Sequence, residues 1–182
     1  MSQAVPPLHR LPARLQRPPV ALTIGGSDSG GGAGIQADLK TFAVLQVHGC
    51  SALTCVTAQN TLGVQRVDAL PPQALTAQIE AVCSDLPVAA LKTGMLLRCE
   101  LIEATAAAIA SLPLQRVIDP VMVSRTGAVL LEPEAIAALR SELLPLADLL
   151  TPNLREASLL VGRPVVSERD VEAAAERIAA LG

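Results

Sequence analysis

An α/β fold built on a mostly parallel, doubly wound sheet is what this sequence predicts, and three observations carry the expectation. Short apolar runs alternate with helix-length segments, the pattern of consecutive βαβ units. A glycine-rich run joins the first apolar run to the first helical segment. The polar residues suited to chemistry each follow a strand-like run, and parallel sheets hold ligands at the carboxyl ends of their strands.

The elements follow in order. Residues 1–19 hold five prolines and Arg10, Arg14 and Arg17, with no acidic residue and no apolar core of a signal peptide. They read as a disordered leader. Val20–Ile24 reads as a buried strand. Gly34–Val47 reads as a helix, with Ile35, Leu39, Phe42 and Leu45 near helical spacing. Ser51–Thr57 is strand-like, and Gly63–Ala69 is a second, more polar strand. Pro72–Ser84 is a helix with proline in its first turn. Ala89–Lys92 is a short strand and Glu100–Ser111 an alanine-rich helix. Arg116–Asp119 is a strand ending at an acid and a proline. Pro133–Leu144 is a helix, Asp148–Leu150 a short strand, and Leu154–Val161 a helix stopped by Gly162. Ser167 caps a last helix with Glu168 and Asp170 in its first turn.

Composition narrows the function. Apolar residues make up 51% of the 182, enough for a core of Leu, Val, Ala and Ile, and Phe42 is the only aromatic residue. A net charge of −3 and the lack of aromatic stacking platforms argue against nucleic acid as a partner. No stretch approaches the ~20 apolar residues that span a bilayer. Cys50, Cys55, Cys83 and Cys99 form no CxxC pair, and His9 and His48 are not at zinc spacing. They read as small apolar residues in a reducing cytosol.

The glycine run is either a ligand site or a tight turn. Strand, glycine loop and helix start together aim backbone N–H groups and a helix dipole at a ligand. It is not a Walker A loop, because no Gly-Lys-Ser/Thr follows, and its last glycine is misplaced for a dinucleotide fingerprint. Asp38, about one turn into the helix, either bonds a polar substrate edge or is a solvated carboxylate. The Gln59 amide offers a donor and an acceptor, suiting a ligand edge that presents both or capping a loop. Pro120 keeps Asp119 extended at a strand end, where its carboxylate could hold magnesium or orient phosphates. Asn153 and Glu156 are three apart across a helix start, so they can face one site, form a capping box, or both.

Five blocks occur in order: GGSDSGGGAGIQADLKTF at 25–42, TAQNTLGVQ at 57–65, KTGM at 92–95, DPVMVSRTG at 119–127 and TPNLREA at 151–157. Together they resemble the hydroxymethylpyrimidine/phosphomethylpyrimidine kinases of thiamine biosynthesis, in the ribokinase-like superfamily. The resemblance implies that Asp38 and Gln59 hold the pyrimidine, that Gly26 and Val121 line the same pocket, and that Met95 packs on the ring or simply in the core. It assigns Glu156, with Asn153, to the magnesium–phosphate region, and Asp119 supports catalysis there. ATP and Mg2+ are the implied cofactors, and a cytoplasmic homodimer the implied state of the full-length form. One departure is Arg125, where the family's lysine is expected; it either neutralises phosphate or is a surface charge.

The family's nucleotide site and its Gly-Thr-Gly-Cys loop lie in a C-terminal part that these residues do not include. Residues 20–182 are thus expected to be the N-terminal part of one C-terminally truncated ribokinase-like domain, without the catalytic loop and with little activity alone. ATP-dependent phosphorylation of 4-amino-5-hydroxymethyl-2-methylpyrimidine and its monophosphate is the leading expectation. A pyridoxal kinase and a non-catalytic pyrimidine-binding domain are the alternatives.

Overall fold

The computed structural model describes residues 17–123 and 131–181. The leader falls almost wholly outside these residues, and so does Arg125. The chain runs through β1 (Val20–Asp28), α1 (Gly34–Val44), β2 (His48–Gln59), β3 (Val64–Ala69), α2 (Pro72–Asp85), β4 (Val88–Thr93), α3 (Cys99–Ile109), β5 (Gln115–Ile118), α4 (Pro133–Ala138), β6 (Leu149–Leu150), α5 (Leu154–Val161) and α6 (Glu168–Ala179).

The six strands form one sheet in the order β3-β2-β1-β4-β5-β6. All neighbours are parallel except β2 and β3, which pair antiparallel at one edge. From β1 the chain winds outward through β2 to β3, then returns to β4 on the other side of β1. The gap between β1 and β4 is therefore the topological switch point, where open α/β sheets leave a crevice at the strand ends. This is the mostly parallel, helix-flanked sheet that the alternation predicts.

Strand alternation sends the two sets of side chains to opposite faces. Leu22, Ile24, Leu91 and Ile118 meet Leu75 and Ile79 of α2 and Leu101, Ile102 and Ile109 of α3 in the main core. Each fully buried Leu or Ile contributes roughly 1.5–3 kcal/mol of transfer free energy. Thr23 and Ser27 lie on the other face, under α1. A smaller cluster, Ala157, Val165 and Ala174, joins α5 to α6.

Several boundaries differ from expectation, and β2 runs over His48–Gln59 rather than Ser51–Thr57. β1 extends to Asp28, so the glycine run begins inside the strand. α1 stops at Val44 because Gln46 takes a φ of 57° and turns the chain toward β2. The helix expected over 133–144 is broken into α4, a π-helical turn (Leu139–Leu143) and a 3-10 turn (Leu144–Leu146). Pro145 cannot donate the bond that would continue an α-helix. The widened turn also lets Leu139, Leu143 and Leu144 all bury against the core.

Candidate active site

The glycine loop does not offer its N–H groups to a ligand. They converge instead on Asp28, the last residue of β1. Its Oδ1 accepts from Gly30 N at 2.8 Å, and its Oδ2 accepts from Gly32 N at 2.9 Å and Ala33 N at 2.8 Å. Gly31 N donates to the Asp28 carbonyl at 2.9 Å. Burial pushes the carboxyl pKa up, but the surrounding N–H groups outweigh it and hold the group below its ordinary value. Of the two readings of the glycine run, these bonds match the tight turn. The array that spacing alone could assign to a ligand is satisfied from within the chain.

The loop is then clamped to β2. Ser29 Oγ donates to the Gln59 carbonyl at 2.6 Å and accepts the Gln59 N–H at 2.8 Å. The Gln59 side chain sits at the carboxyl end of β2, where Thr57 Oγ1 donates to its Oε1 at 3.3 Å. Gly26 lies one strand over. A Cβ there would meet Cys55 Sγ at 2.8 Å and the Met95 methyl at 2.9 Å, so glycine lets Met95 lie close against β1. Thr54 Oγ1 donates to the Met95 carbonyl at 2.8 Å, fixing the segment after β4. Gly26, Gln59 and Met95 therefore gather at the carboxyl ends of three adjacent parallel strands, β1, β2 and β4.

On the α1 face a charged chain begins at Asp38. Thr23 Oγ1 donates to its Oδ2 at 2.6 Å, and Lys92 Nζ lies 3.2 Å from both carboxylate oxygens. Lys92 also reaches Asp119 Oδ2 at 3.4 Å. Asp38 is thus engaged by a threonine and a lysine rather than standing free, which sequence spacing did not foresee. Lys92, the ammonium between two carboxylates, was missed as a site residue. Its signal was a lysine inside an otherwise apolar strand, in a chain with only two lysines.

Asp119 follows β5, and its N–H donates to the Thr93 carbonyl at 3.2 Å. Burial raises its carboxyl pKa; Lys92 opposes that shift and Asp38 adds to it. Val121 and Met122 come next, and Met122 N donates to Glu156 Oε1 at 3.3 Å. The other Glu156 oxygen accepts from Asn153 N at 2.9 Å, while Asn153 Oδ1 accepts from Arg155 N and Glu156 N, both at 3.0 Å. This is a full capping box at the start of α5. Glu156 is only 3% exposed, and burial raises its pKa against its backbone donors. One buried oxygen at this edge, Thr93 Oγ1, has no partner among the described residues.

This donor set bears on magnesium. Mg2+ takes one or two carboxylates with waters and phosphate oxygens. Asp119 fits that demand, partly exposed at a strand end. Glu156 and Asn153 lie at the start of α5 with their side-chain oxygens oriented by backbone N–H groups, one on each Glu156 oxygen. No group of three or more His, Cys, Asp or Glu side chains among the described residues is arranged to hold a metal. A cleft of about 200 Å3 between α5, α6 and the π turn shares no residue with this constellation. The cysteines are free thiols, Cys55 buried and the other three half-buried.

Comparison with known proteins identifies the family and the fold. The family model described as phosphomethylpyrimidine kinase matches residues 28–182. The hydroxymethylpyrimidine/phosphomethylpyrimidine kinase of Synechococcus elongatus is 63% identical over 164 residues, covering 90% of this chain and 62% of that protein. The chain therefore spans less than two thirds of that relative's length. The crystal structure of a phosphomethylpyrimidine kinase from Clostridium difficile superposes with a TM-score of 0.86 at 44% identity, over 90% of this chain and 71% of that one. A Bacillus subtilis pyridoxal kinase in complex with ADP superposes at 0.80 with 43% identity, over 91% and 62%. The architecture is ribokinase-like. With a matched segment running from Asp28 through α6, the chain belongs to the phosphomethylpyrimidine kinase family.

Proposed function

We propose that this chain forms the substrate-holding part of a kinase that transfers the γ-phosphoryl of ATP to 4-amino-5-hydroxymethyl-2-methylpyrimidine and then to its monophosphate, in thiamine biosynthesis. The observation that carries the reading is the gathering of Gln59, Gly26 and Met95 at the switch-point edge, with Asp119 at the end of the next strand. An amide that both donates and accepts suits an aminopyrimidine edge, and Met95 gives a soft apolar face for the ring. Val121, two residues after Asp119, would line the same substrate site. Asp38 acts through Lys92, holding the ammonium toward Asp119.

Phosphoryl transfer depends on positioning and charge stabilisation more than on covalent chemistry. Gln59 and Met95 orient the ring, and Lys92 supplies positive charge beside Asp119. Magnesium, when bound, would neutralise phosphate charge, and Asp119 is the described carboxylate placed to approach it. A homodimer is consistent with Val56, Val64 and Val67, which stand exposed on the β2–β3 edge ribbon. No helix among the described residues is long and apolar enough to cross a membrane.

Calorimetry of the full-length protein with hydroxymethylpyrimidine and with pyridoxal tests the assignment. The pyrimidine is expected to bind more tightly, and Gln59→Ala to weaken it by about 1–3 kcal/mol, the usual penalty for unpairing a buried polar group. Tighter pyridoxal binding overturns the pyrimidine reading in favour of a pyridoxal kinase.

A further inference from the structure

The loop from Ser29 to Ala33 has the form of an anion nest: successive backbone N–H groups converge at the start of a helix. Its occupant is part of the chain. Asp28 is 5% exposed, and three N–H donors reach its two oxygens at 2.8, 2.9 and 2.8 Å. The same residue ties the neighbouring segments together. Asp28 N donates to Gln36 Oε1 at 2.8 Å, and Gln36 Nε2 donates to Ser27 Oγ at 2.8 Å. The next residue, Ser29, holds the backbone of Gln59 through two hydrogen bonds. Lys40 Nζ donates to the Gly31 carbonyl at 2.6 Å and closes the outside of the loop.

We propose that Asp28 is a built-in anion: its carboxylate fills the nest at the start of α1, bars phosphate groups from it, and shapes the loop from which Ser29 holds Gln59 in place for substrate. The chemistry follows from the donor count. With the Gly30, Gly32 and Ala33 N–H groups committed to Asp28, a phosphate arriving there would have to displace a fixed carboxylate of like charge at close range. The consequence for substrate rests on the pyrimidine-kinase reading. A phosphorylated pyrimidine carries its anion at one end only. A filled nest beside Gln59 excludes the reversed pose, so the phosphate must point away from the loop. Asp28 is thus a positioning residue that also selects substrate orientation.

The test uses the full-length protein and inorganic phosphate as probe. In the wild type, the amide resonances of Gly30, Gly32 and Ala33 should not move as phosphate is added. In Asp28→Ala the emptied nest should bind phosphate, with shifts at those same amides. Ser29→Ala leaves the nest filled, so it should bind no phosphate. It should still raise the KM for the pyrimidine by about tenfold with kcat little changed, the loss expected from removing the two hydrogen bonds that support a binding residue. Phosphate-induced shifts at the loop in the wild type overturn the proposal, as does a folded Asp28→Ala that binds no phosphate. An unchanged KM in Ser29→Ala overturns the link to Gln59. The phosphate arms do not depend on which ring the enzyme phosphorylates, so failure of the substrate assignment would be recognised separately.

Discussion

Replacing Gly34 with alanine should be among the most damaging single-methyl additions to this chain, and Gly162 supplies the control. Both glycines have positive φ, 56° and 71°. Both substitutions therefore incur the left-handed penalty of about 1–2 kcal/mol for an L-residue. The surroundings differ. A Cβ at Gly162, in the C-cap of α5, meets nothing within 4 Å. A Cβ at Gly34, the first residue of α1, runs into the backbone carbonyl of Gly26 and lies 3.2 Å from Asp28 N. These are backbone atoms of a central strand and cannot rotate away. Overpacking of that kind adds roughly 1–3 kcal/mol. The expected loss is thus about 2–5 kcal/mol for Gly34→Ala against about 1–2 kcal/mol for Gly162→Ala. Urea unfolding of both variants, with m-values compared, measures the difference directly. Heating should show it as well, at about 2–4 °C of Tm per kcal/mol for a chain of this size. Equal losses in the two variants would refute the close seating of α1 on β1.

The charged chain on the α1 face makes two further predictions. Lys92→Met should leave Asp38 and Asp119 without their shared ammonium, costing about 1–3 kcal/mol of stability for charge-assisted hydrogen bonds lost, and should lower turnover; denaturant unfolding and a steady-state assay check both, and an unchanged enzyme would remove Lys92 from the site. Asp119→Asn should separate stability from activity. The folded-state pKa of Asp119 is raised above its ordinary value of 3.8, chiefly by burial, so its charged form is disfavoured in the folded protein. Its contribution to stability is fully present below that value and is lost as pH rises through the folded pKa. The asparagine variant escapes that loss. It should match the wild type in Tm at acid pH and equal or exceed it at neutral pH, while the magnesium dependence of turnover changes. A variant less stable at neutral pH than at acid pH, relative to wild type, would contradict this account.

Local chemistry in the sequence was enough for several features. Leu154–Val161 appears as a helix with the expected bounds, because Asn153 and Glu156 form a capping box and Gly162 supplies a left-handed stop, all within a few residues. Ser167 and Asp170 do the same for α6. The alternation of apolar runs with helical segments implied a parallel sheet, and the five blocks implied the family. Local chemistry could not say what the polar groups bond to. Whether the glycine loop faces a ligand or Asp28 depends on the direction of β1's last side chain relative to a helix five residues later. The partnership of Asp38 with Lys92 joins residues 54 apart and exists only because β1 and β4 are neighbours in the sheet. Glu156 reaches Met122 across 34 residues for the same kind of reason. Spacing along the chain determines which residues can share a helix face or a strand end. Only the order of the strands decides which donors and acceptors meet there, because hydrogen bonds act over about 3 Å and sequence separation carries no distance.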